Sequence, residues 1–159
     1  MIYTLFIILL MIWIIGIPLF SYYKNKVYST AQITKEGIIF YKWPLPNYFI
    51  PYEKIKQISL SGTLPNYPGS SARIDIQTQE NSELIRIPIR CKAIAKNALG
   101  YFSQGIQIQG LQKEELSALI SNIDNKKIDP NLIELVTKGE IELSKISKTI
   151  GAYLFKIKI

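Results

Sequence analysis

A chain of 159 residues with a net charge of +7 is long enough for one domain with a single hydrophobic core and a short additional segment. It holds no histidine and one cysteine, which removes the usual general base, the Ser-His-Asp and Cys-His arrangements, most catalytic zinc sites and any internal disulfide. No glycine-rich phosphate loop is present, and the acidic residues are scattered apart from Glu114-Glu115. An enzyme is therefore the remote expectation, with no catalytic residue, metal or cofactor foreseen.

Residues 1–23 carry no charged side chain, and nearly every position from 2 to 20 is large and apolar. A run of roughly 20 apolar residues suits a helix crossing about 30 Å of hydrocarbon. A secretory signal would have a basic start, a shorter core and a small-residue cleavage site, none of which occurs here. The expectation is a single transmembrane helix over 1–23, with Tyr22, Tyr23, Lys24 and Lys26 at the membrane interface. Because the flanking lysines follow the run, the remainder of the chain is expected on the cytoplasmic side of the inner (cell) membrane. The lone Cys91 agrees with a reducing compartment.

Past the run, residues 27–34 and 38–43 read as a hairpin around the turn Lys35-Glu36-Gly37, with glycine expected at a positive φ. Residues 49–52 are extended, 53–56 make a helical turn, and 57–60 resume a strand with Ile58 and Leu60 on one face. Alternation is strongest over 72–78 and 84–91, which form a second hairpin. Pro88 cannot donate to a ladder, so it belongs at an edge or a bulge. Cys91 falls on the buried face of this pattern. Residues 92–105 give no decisive pattern, and Ile106 and Ile108 fit a further short strand.

Leu116, Leu119, Ile120 and Ile123 recur at helical spacing within 111–124. Asp129-Pro130 starts a second helix that carries Leu132, Leu135 and Val136, and Gly139 stops it. In the remaining tail, Leu143, Ile146 and Ile150 fit a helix while Tyr153, Phe155, Ile157 and Ile159 alternate as a strand does.

The hairpin Ile33-Thr34-Lys35-Glu36-Gly37-Ile38-Ile39-Phe40 and the following Ile50-Pro51-Tyr52-Glu53-Lys54-Ile55-Lys56-Gln57-Ile58 together resemble the opening of bacterial pleckstrin-homology-like (PH-like) domains. The resemblance covers roughly 28–125, with a closing helix near 117–123. It implies a roll or barrel of strands plus a helix, attached to a membrane, that binds or scaffolds and does not catalyse. The expected fold class is accordingly α+β, with a transmembrane helix (1–23) and a PH-like antiparallel β-roll or barrel capped by a C-terminal helix (24–126). An extra α/β extension (127–159) completes the chain.

Basic residues outnumber acidic ones eleven to five over 24–96, but only eight to seven afterwards. Arg73, Arg86 and Arg90 are expected on the outward faces of the second hairpin, with Lys92 and Lys96 behind them, as a surface for anionic headgroups or an acidic partner. Lys145, Lys148, Lys156 and Lys158 form a second basic group in the tail, suited to a membrane surface or a protein partner. The competing reading of the hairpin cations is a solvated cationic face, and that of the tail is packing on its own domain. The functional expectation is a membrane-anchored scaffold or recruitment module, possible as a homo-oligomer or with a separate protein partner. A lipid-headgroup sensor is its rival. Nucleic acid is not an expected partner, because basic and aromatic residues are poorly interleaved, and the pattern names no small-molecule ligand.

Overall fold

The computed structural model describes residues 7, 10–16, 28, 30–42, 46–62, 71–80, 84–97, 99–143 and 152–159. Within the apolar run, Ile7, Leu10 and Met11 are α-helical and Ile12–Gly16 is a π-helical turn. Among the described residues, no helix is long and apolar enough to cross a membrane. This finding overturns the expected transmembrane helix, and with it the assignment to a single-pass protein of the inner membrane. The interface residues Tyr22, Tyr23, Lys24 and Lys26 lie outside the described residues.

The domain is mostly β-sheet, arranged as three antiparallel sheets with a few short helices. The first sheet has the order β1-β2-β3, from β1 (Thr30–Ile33), β2 (Gly37–Tyr41) and β3 (Tyr48–Pro51). The opening hairpin forms as the sequence predicts, and its register sets Ile33 opposite Ile38. Gly37 is required for a different reason than expected, since it is absent from the positive-φ glycines. A Cβ at this position would collide with the carbonyl of Ile50 on the adjoining β3. The Thr34 hydroxyl closes the turn by donating to the Gly37 carbonyl at 2.8 Å.

The second sheet runs β4-β5-β6, from β4 (Ile55–Ser61), β5 (Arg73–Thr78) and β6 (Leu84–Pro88). Ile58, Leu60, Ile74, Ile76, Ile85 and Ile87 fill its core face. Pro88 ends the edge strand β6, where its missing N–H costs no ladder bond. The long alternation over 84–91 is broken there. Ile89 bridges to Leu111, and a new strand begins at Cys91.

That strand, β7 (Cys91–Asn97), belongs to the third sheet, whose order is β8-β7-β10-β9. Its other members are β8 (Phe102–Gln107), β9 (Glu140–Glu142) and β10 (Ala152–Lys158). Between β8 and β9 come α1 (Lys113–Ser121) and α2 (Pro130–Lys138). The helix signals are read correctly. Gln112 and Glu115 form a capping box on α1, Asp129 caps α2, and Gly139 ends it at φ 79°.

The expected roll closed by a C-terminal helix is not what forms. Both helices precede the final strands, and the segment taken for an appended extension supplies β10, which lies between β7 and β9. The physical cause is burial, because Ile141, Leu143 and Ile157 join one core cluster with residues of all three sheets. The tail strand is therefore an interior strand and not an available edge.

Candidate functional site

The three arginines predicted for the outward faces of the second hairpin and the two lysines predicted behind them do not form one patch. Arg73 and Arg86 sit on the second sheet, where Asp75 lies opposite Arg86 in register. The Arg73 guanidinium donates to both Asp75 carboxylate oxygens, Nε at 2.7 Å and Nη2 at 3.4 Å. Their side chains are only 14 % and 7 % exposed. Arg86 is half-buried, and its Nε atom is buried with no hydrogen-bond partner. Arg73 and Arg86 thus belong to an internal polar layer more than to a solvent-facing patch. Arg90 is exposed, but its Nε donates to the Ile108 carbonyl at 2.9 Å and so fixes the chain leaving β8.

Lys92 and Lys96 take a different position. Alternation along β7 buries Cys91, Ala93 and Ala95 and turns Lys92, Ile94 and Lys96 to the other face of the third sheet. Lys156 and Lys158 of β10 pair in register with Ile94 and Lys92, so the structure brings together two lysine groups that the sequence kept apart. Lys145 and Lys148 lie outside the described residues. Across this face the charge is graded. Glu140 and Glu142 occupy β9, and Lys156 Nζ lies 3.5 Å and 3.6 Å from their carboxylates. Lysines fill the middle strands. Lys158 stands directly opposite Lys92, a like-charged cross-strand pair that costs stability unless something anionic lies over it.

The opposite edge, β8, is uncharged and exposes large apolar side chains. Phe102 is 58 % exposed and Ile106 65 %, followed by Ile108 at 71 %. Phe102 is held in place. Its ring meets Phe155 edge-on at 5.4 Å between centroids, and Lys96 Nζ lies 5.3 Å from its centre. Gln104, also exposed, separates the two apolar side chains on this face. Among the described residues, no strand pairs with the outer side of β8. Sequence reasoning missed this site. The signal was present nonetheless, since none of the sixteen residues 97–112, between Lys96 and Lys113, is charged. Natural edge strands are normally protected by lysine, proline or a bulge, and β8 has none of these in its sequence.

Beside the exit of β8 an open groove of about 350 Å³ is lined by Thr30, Ala31, Arg90, Ile108, Gly110 and Glu115, among others. Its two charged side chains both hold backbone. Arg90 grips Ile108, and Glu115 accepts from the Gln112 N–H at 2.8 Å. Gly110, at φ 103°, makes the turn between them, and any Cβ there would strike the Pro88 carbonyl. Burial pushes the Cys91 thiol up to about 11, so this group is a core hydrophobe and not a nucleophile. Among the described residues, no three His, Cys, Asp or Glu side chains gather as a metal site would require.

Compared with known proteins, the chain matches no family model, no curated protein and no solved structure.

Proposed function

We propose that this chain is a non-enzymatic recruitment module that binds an extended protein segment along the β8 edge. The observation that carries the reading is the exposed, charge-free edge strand itself, with Phe102 and Ile106 on one face and no strand on its outer side among the described residues. Such an edge offers a row of main-chain groups for affinity and alternating side chains for selectivity.

Site-specific photo-crosslinking tests this. A photoreactive residue at position 104 should give protein adducts, and the same residue at position 142 on the acidic β9 edge should give few. Equal labelling at both positions, or none at 104, rejects the assignment of the binding edge.

A further inference from the structure

The binding reading above leaves the occupant open, and the register of β8 specifies one. We propose that the β8 edge pairs antiparallel with β8 of a second copy of this chain, about a two-fold axis through Gln104. The inference rests on β8 being the binding edge and adds the partner's identity.

Self-pairing in this register is complementary residue by residue. With Gln104 opposite Gln104 of the copy, Phe102 faces the copy's Ile106, and Ile106 faces the copy's Phe102. Aromatic and β-branched residues directly opposite one another are a favourable cross-strand combination, and the two-fold axis produces the pair twice. On the other face Ser103 meets Gly105, so no two bulky groups compete for space. The Phe102 ring is already fixed by Phe155 and Lys96, which lowers the ordering cost of association.

Charge permits the same partner. Two copies of a chain with net charge +7 repel over most of their surfaces. Residues 97–112 carry no charge at all, so the strand that pairs adds no like charge of its own, and the nearest cation, Lys96, is held against Phe102. The far edge then explains why assembly stops at two. Pairing doubles the four-stranded sheet and leaves β9 on each outer side. That strand has three residues, two of them glutamate, and is poorly suited to pair with itself.

The test uses the full chain, so association through residues 1–23 is common to every arm. Cα atoms opposed in antiparallel strands lie about 4.5 or 5.5 Å apart, within the roughly 4.4–6.8 Å that a disulfide spans. Gln104→Cys should therefore form a covalent dimer on mild oxidation, while Glu142→Cys should stay uncrosslinked, with the buried Cys91 left in place in both. Ile106→Lys and, separately, Gln104→Lys should weaken the dimer at least about tenfold in sedimentation. Both positions are solvent-exposed, and unchanged melting temperatures confirm that the variants are folded. A Gln104→Cys chain that remains monomeric, or a dimer indifferent to both lysines, overturns the second-copy assignment. If photo-crosslinks at 104 then go to other proteins, the binding reading survives without it. If there are no adducts, both fail.

Discussion

The two edges of the third sheet, β8 and β9, meet solvent in opposite ways. β9 is three residues long, has glutamates at both ends, and hangs from α2 through the turn at Gly139. Its acids reach Lys156 on the neighbouring strand. β8 is twice that length, wholly uncharged, and presents Phe102 and Ile106 outward. Among the described residues, one sheet thus has an edge guarded by charge and one without such a guard. An unguarded edge survives in a folded protein when something covers it, which is why the contrast carries functional information that a tally of exposed side chains lacks.

The most severe way to break the contrast is to destroy the support of β8. Gly110→Val combines a positive φ with a collision at the Pro88 carbonyl, and should cost about 3 kcal/mol. A thermal or urea melt reads this directly. Next is the support of β9. Asp129 caps α2 by accepting from the Asn131 N–H at 2.9 Å, and it also accepts from the Leu60 N–H on β4 at 3.1 Å. Asp129→Ala should lose about 2 kcal/mol, and Asp129→Asn should recover part of it.

A gentler change tests whether the guard matters. Replacing Glu140 and Glu142 by threonine removes only solvent-exposed ion pairs, so unfolding free energy should shift by less than about 1 kcal/mol. Assemblies larger than two copies should nevertheless appear in sedimentation. If the double variant sediments like the parent, β9 is not protected by its charges.

The smallest effect at neutral pH concerns Cys91, at the start of β7. Burial raises its pKa from the ordinary 9.0 to about 11, so the folded state disfavours the thiolate. The stabilising contribution is complete below about pH 9 and is lost as pH rises through 11. Thiol labelling of the folded protein should be very slow at pH 8 and accelerate only over that alkaline window. Rapid labelling at neutral pH would show that β7 is open.

Individual elements were legible because alternation and caps are local signals, whereas the fold class was not. The β1–β2 hairpin, the Ile58/Leu60 face, the Asp129-Pro130 start and the Gly139 stop were all readable from short windows. β7 was not, since Ala93 and Ala95 are too small to stand out as a core face. β8 was obscured because Ser, Gln and Gly separate its apolar residues. The order β8-β7-β10-β9 had no local signature either. β10 mixes lysine with apolar residues, and its partners are fixed only when Ile157 finds the common core. For the candidate site, the sequence reading followed charge, while the informative feature was a stretch without any. Arg73 shows the limit of alternation, since an outward position in the pattern is occupied in the structure by a buried clamp on Asp75.

The interior placement of β10 also sets a schedule for synthesis. A ribosome finishes β7 and β8 well before it reaches residues 152–158, and these can pair as a local hairpin at once. Throughout that interval the inner side of β7 lacks its neighbour, because Asn97 waits for Ala152 and Lys92 for Lys158. Pairings between strands so distant in the chain form slowly. The nascent polypeptide therefore spends its most vulnerable period with both flanks of one hairpin uncovered, and chaperone demand should peak before β10 has emerged.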